Sequence, residues 1–276
     1  MVNRKELTPD ESPHAAFGER LRRLRDERGW TQEELGERIG CTGAHVSAVE
    51  TGRRPPTQRF ATGADKALGT GTSFEREWRE IRNGSLLEGF QEYVRHEGRA
   101  AEIRLFEMGV IPGPLQTREY AEALEAVNVE RGDLTAEQAA ERVNFLIERQ
   151  AALARPQAPL VIVVLDESCI RRPVGGSAVM ERQLARLVEF ARQPNTALQL
   201  APFAMGERQP FRRLVHLLTL ADRSVVSYVE SQTHGHLDRE LNSVVPLVRA
   251  YHQLQTEALS QADSVAMIEQ ARKGIP

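Results

Sequence analysis

One stretch, Trp30 to Pro56 (WTQEELGERIGCTGAHVSAVETGRRPP), limits what this chain can fold into more than any other, because it sets two helix starts and two helix stops around one short turn. Thr31 is placed to cap a helix, with Glu34 three residues later to complete a capping box, and Leu35 and Ile39 supply the buried stripe. Gly40 ends that helix. After a turn of about three residues, Thr42 caps a second short helix whose Val46 and Val49 face inward, and Gly52 closes it. Two helices joined so tightly form a helix-turn-helix, and Gly36, lacking a side chain, lets the second pack closely across the first.

The flanks extend the pattern. Phe17, Leu21 and Leu24 recur on one helical face that Gly29 ends, Thr57 caps a helix carrying Phe60, Ala64 and Leu68, and Thr72 or Ser73 begins one carrying Phe74, Trp78 and Ile81. The expectation is a five-helix domain over 17–82, behind a disordered leader over 1–16 that lacks the apolar core of a secretory signal.

The segment Trp30–Pro56 resembles the Xre family, the regulators related to lambda repressor and Cro, in its cap, small residue, turn and closing glycine together. The resemblance implies that the helix Thr42 to Thr51 lies in the major groove of a double-stranded DNA operator, where base edges present distinct donor and acceptor patterns. Its outward positions are Thr42, Gly43, Ala44, His45, Ser47 and Ala48. His45 and Ser47 carry hydrogen-bonding groups for bases, and Ala44 and Ala48 suit a thymine methyl. Gln32 matches a glutamine that family members place on the DNA backbone, and Thr51, Arg53, Arg54 and Arg59 are positioned to follow phosphates on the far side. Glu50 stands where the family pairs an acid with an arginine of the first helix, a structural role. For the arginines the plainer alternative is a solvated surface.

The net charge of −3 does not announce a nucleic-acid partner, but charge need only be arranged locally. From Phe17 to Thr70 there are 10 Lys and Arg against 8 Asp and Glu, and from Asn83 onward 21 against 25. Thr51 to Ala64 contains three arginines and no acid. Two cysteines, Cys41 and Cys169, fall in different predicted domains, which argues against a disulfide and for a reducing, cytoplasmic setting. The apolar run Leu160–Leu165 is far shorter than the roughly 20 residues of a membrane helix.

From 83 to 276 the pattern predicts a mixed α/β domain of about four strands with flanking helices, so that the chain as a whole is mainly α. Helices are expected over Gly84–Met108, Pro114–Val127, Ala136–Ala154 (with Ala140, Val143 and Ile147 as its stripe) and Ser177–Arg192, with one or two more within Leu237–Gln270. Leu160–Asp166 and Ala197–Ala201 read as strands joined by a parallel crossover, and Leu214–Leu220 with Val225–Glu230 as a hairpin.

The stretches IPGPLQTREYA (Ile111–Ala121), ERQAAL (Glu148–Leu153), VLDESCIRR (Val164–Arg172), VMERQLARL (Val179–Leu187) and VSYVES (Val226–Ser231) resemble the second domain of an actinobacterial, antitoxin-like, WhiJ-related subgroup of Xre regulators. That resemblance implies a regulator working with a small protein encoded by a neighbouring gene, and transfers no catalytic residue; a homodimer is expected separately, because one small DNA-binding head offers few base contacts. It leaves an alternative open, in which this domain neutralises the small partner and DNA binding serves only autoregulation.

Asp166 and Glu167 follow one predicted strand and Glu230 ends another, with Arg171, Arg172 and His216 able to join them. A pocket for a small-molecule effector is one reading, carboxylate acid–base chemistry a second, and ordinary caps and loop charges the third and commonest. No nucleophile elbow occurs, Gly175-Gly176 lacks the rest of a phosphate loop, and no Cys or His spacing suits a metal, so neither enzyme nor cofactor is expected.

Overall fold

The structure is a computed structural model that describes residues 13–84, 89–153, 158–231 and 234–275. It divides into two compact units, Met1–Ser85 and Leu86–Pro276.

The first unit is the expected set of five helices: α1 (Pro13–Glu27), α2 (Gln32–Ile39), α3 (Gly43–Glu50), α4 (Gln58–Leu68) and α5 (Ser73–Gly84). Helix α1 begins at Pro13, inside the stretch expected as a leader, because His14 and Ala15 are buried with the core; the rest of that expectation, 1–12, lies outside the described residues. The caps are those the sequence announces. Thr31 and Glu34 complete the capping box, Thr42 and Thr57 each accept a hydrogen bond from the third residue of their helix, and Gly40 and Gly69 end α2 and α4 in left-handed conformation. Phe17, Leu21, Leu35, Val46, Val49, Phe60, Leu68 and Phe74 form one core, where Phe17 and Phe74 meet edge to face with ring centres 5.1 Å apart.

The second unit is a six-stranded sheet of order β3-β2-β1-β4-β5-β6, with β1 (Ala100–Glu107), β2 (Leu160–Asp166), β3 (Thr196–Ala201), β4 (Val215–Leu220), β5 (Val225–Glu230) and β6 (Gly235–Asp238). β1, β2 and β3 are parallel, and β4, β5 and β6 continue antiparallel from β1. The crossover β2–α9 (Ser168–Arg171)–α10 (Ser177–Ala191)–β3 and the β4–β5 hairpin match expectation. Two strands do not. The helix expected over Gly84–Met108 is α6 (Phe90–Glu97) followed by β1, the strand that joins the parallel and antiparallel halves of the sheet. Its Ala, Glu, Arg and Leu favour helix, but pairing on both edges and the inward alternation of Ile103 and Leu105 against Glu102 and Arg104 win. β6 takes the beginning of the last expected helical stretch, which is otherwise α11 (Leu241–Glu257) and α12 (Gln261–Lys273).

Helices cover both faces of this sheet. Ile103, Leu105, Val163, Leu198 and Tyr228 meet residues of α6, α7 (Arg118–Glu130), α10 and α12, whereas Phe106, Val164 and Leu217 meet Tyr251 and Leu254 of α11. Tyr251 also donates to the carbonyls of Leu105 and Ile162, at 3.1 Å each. The remaining helix, α8 (Ala136–Leu153), buries Ala139, Val143 and Arg149, so its inward stripe is rotated from the expected one and Ala140 is exposed.

Candidate nucleic-acid interface

The two helices of the motif are held by a close approach of backbone. A Cβ on Gly36 would lie 2.8 Å from the carbonyl oxygen of Cys41 and 3.0 Å from the carbonyl carbon of Thr42, so only glycine admits the turn. A second close approach had escaped the sequence reading: a Cβ on Gly18 of α1 would lie 2.6 Å from the carbonyl oxygen of Val49 and 2.7 Å from that of Glu50. A glycine inside an otherwise helical pattern hints at a close approach without naming its partner.

With Val46, Val49 and Glu50 buried, Ala44, Ser47, Ala48 and Thr51 fall at helical spacing on the opposite face of α3. Thr42 and Gly43 lead into that face, Thr42 and Ala44 being exposed and Gly43 half-buried. A Cβ on Gly43 would meet the Glu33 carboxylate at 2.6 Å, which gives this glycine a packing role besides its place at the start of α3. Thr51 donates to the Ser47 carbonyl at 2.7 Å and accepts from Arg53 Nε at 2.9 Å, tying that arginine to the end of the helix. Arg54 is anchored by its backbone N–H on the Ala48 carbonyl, and Arg53, Arg54 and Arg59 are all exposed. Arg59, on α4, reaches to the Gly40 end of α2.

His45 departs from this face. Its ring stacks on Phe60 with centres 5.3 Å apart, and its Nε2 is buried with no hydrogen-bond partner. Burial, and then the charge of Arg54, hold its pKa below 6.5. The ring is therefore neutral at neutral pH, and reaching a base would take a rotation away from Phe60.

Glu50 is the electrostatic anchor beneath the face. It is fully buried and accepts from Arg25 through Nε at 2.6 Å and Nη2 at 3.0 Å, the acid–arginine pair that the resemblance implied. The hydrogen bond to Glu50 is the main reason the Arg25 pKa is raised. Gln32 Nε2 donates to the same carboxylate at 2.7 Å, so Gln32 is oriented by Glu50 and keeps its second amide hydrogen and its oxygen.

In the second unit the expected pocket residues separate into two groups. Asp166 accepts from the backbone and hydroxyl of Ser168 and from Gln209 Nε2, and Glu167 accepts from Arg171 Nε at 3.1 Å and from the Phe203 backbone at 2.9 Å. These three residues brace the turn after β2. His216 and Glu230 instead line a cavity of about 450 Å³ whose walls are α7, α8 and the loop before α7. Both cysteines are free thiols, and burial raises the pKa of each. Among the described residues no cluster of His, Cys, Asp or Glu is arranged to hold a metal ion, and no helix is long and apolar enough to cross a membrane.

Comparison with known families matches residues 16–78 to a helix-turn-helix domain and residues 90–270, about two thirds of the chain, to a domain of unknown function (DUF5753). No curated protein and no solved structure matches the chain.

Proposed function

We propose, on the premise that this chain belongs to the DUF5753 family and carries a helix-turn-helix domain, that it is a sequence-specific transcriptional regulator of the Xre type, acting as a homodimer. The observation that carries the reading is the outward row Ala44, Ser47, Ala48 and Thr51 on α3, Ala44 exposed and the other three half-buried, with exposed arginines at its end and the Glu50–Arg25–Gln32 network beneath it. Small side chains let the helix sit close to base edges, Ser47 supplies the hydrogen-bonding group, and Gln32, Arg53, Arg54 and Arg59 supply phosphate contacts. Without an arginine or long amide on the row, sequence preference rests partly on DNA shape. One such face makes few base contacts, which favours two copies on a two-fold operator with half-sites about one DNA turn apart. The second unit then receives a ligand or protein signal. The resemblance to antitoxin-like regulators supports a second reading, in which that unit binds a small protein encoded nearby.

Sedimentation velocity and hydroxyl-radical footprinting on the upstream DNA of the gene test the proposal. A dimer protecting two symmetric half-sites is expected. A monomer on DNA, or protection of direct repeats, would remove the dimeric reading.

A further inference from the structure

The cavity of the second unit has a floor of sheet residues. Glu107 and Leu214 lie just beyond the last β1–β4 pair, Phe106 with Val215, and Glu230 ends β5, so these three lie in one row across three strands, with His216 two residues along β4 from Leu214. Strand spacing of about 4.8 Å sets the two carboxyl-bearing strands roughly 10 Å apart. The walls are largely apolar, with Phe90, Phe145, Leu124 and Leu146 among them. At about 450 Å³ the space is of the size that small-molecule sites occupy.

Charge inside the cavity is uneven. Arg149, which lines it, is nine-tenths buried and bound through two nitrogens to the buried Glu97, which offsets the desolvation that works against its charge. Arg142 lies 3.5 Å from Glu125 across the wall. The floor carboxylates have partners of another kind: Glu107 meets His216 Nε2 at 2.8 Å, and Glu230 accepts from the Tyr228 hydroxyl at 2.7 Å. Burial and Glu230 both push the Tyr228 phenol far up, so it stays a neutral donor. Neither partner brings a fixed positive charge. The other His216 nitrogen, Nδ1, is buried without a hydrogen-bond partner in a ring that lines the cavity. A site with two floor carboxylates, one unpartnered buried ring nitrogen and aromatic walls is complementary to a hydrogen-bond-donating cation with an apolar body.

We propose that this cavity binds a small organic amine, its ammonium group held between Glu107 and Glu230 beside His216 and its apolar part against Phe90 and Phe145. Calling the amine an effector rests on the regulator reading above; the binding itself does not.

Calorimetric titration of the full chain with 2-phenylethylamine and cyclohexylmethylamine, each beside its carboxylate counterpart (3-phenylpropionate and cyclohexylacetate), tests this. Saturable one-to-one binding of at least one amine is expected, with carboxylates weaker by tenfold or more and amine affinity reduced at least tenfold in both Glu107→Gln and Glu230→Gln. Because Glu107 is buried, the partly exposed Glu230 is the deciding position, and far-UV circular dichroism checks both variants. No binding of either amine, tighter binding of the carboxylates, or an unchanged amine affinity in Glu230→Gln overturns the proposal. Operator affinity measured on the same samples separates the two readings. DNA binding without amine binding removes the cavity proposal alone, and amine binding without DNA binding removes the regulator reading alone.

Discussion

At the scale of single residues, the first unit depends on Glu50, a carboxylate without exposure that holds Arg25 and Gln32 together. Replacing it with alanine strands the Arg25 guanidinium in the interior, and breaking a buried pair in this way costs about 3–5 kcal/mol. Arg25 keeps bonds to Asp26 and to the Trp30 carbonyl, which places the expected loss at the lower end. Thermal unfolding of Glu50→Ala followed by circular dichroism should show this loss in the helical first unit, and an unchanged midpoint would contradict the anchoring role. His45 makes a prediction in pH. Because its pKa in the fold is held below the ordinary 6.5, the unfolded chain takes up the proton first, so stability of the first unit is full above about pH 6.5 and declines as pH falls through the lower folded value. A proton titration of the His45 ring by NMR should give that lower value, and His45→Gln should remove this part of the pH dependence. The position was legible in the sequence as part of α3, but its orientation was not, since Phe60 lies on another helix and only packing brings the rings together.

Among elements, the motif helices could be read because each start and stop is a local signal: Thr31, Thr42 and Thr57 cap, and Gly40 and Gly69 stop. Contacts between distant elements carry no such mark. The turn next to Gly36 marks its packing role in the sequence, whereas Gly18 serves the contact of α1 with the end of α3 far along the chain. Both glycines face backbone atoms that cannot yield, so Gly18→Ala and Gly36→Ala should each destabilise the first unit by about 1–3 kcal/mol, with loss of DNA affinity. Denaturant unfolding checks this, and a neutral Gly18→Ala would show that α1 can shift. Strand β1 is the clearest case of local preference overruled. Its residues favour helix, and it becomes a strand because β2 and β4 pair with both its edges. The expected pocket residues divide, His216 and Glu230 lining the cavity and the others not, for a related reason. Glu107, one of its two floor carboxylates, was hidden inside that expected helix, while Asp166 and Glu167, visible at the end of β2, are spent on bracing a turn.

For the molecule as a whole, the chain joins a helical unit with an acid-free, arginine-bearing surface segment to a larger α/β unit with a small-molecule-sized cavity. Net charge alone gives no sign of this local arrangement of charge, because the excess acid of the second segment masks the first. The central claim is that DNA is read by the outward face of α3. Fluorescence anisotropy of the full chain on its upstream DNA and on random DNA, over a salt series, with wild type, Ser47→Ala/Ala48→Glu and Arg53→Ala/Arg54→Ala, tests it most directly. The account predicts that wild type prefers its upstream DNA, that the α3 variant falls to non-specific affinity, and that the arginine variant weakens binding to both DNAs with a shallower salt dependence. Equal wild-type affinity for both DNAs, or an α3 variant that keeps its preference, would contradict it.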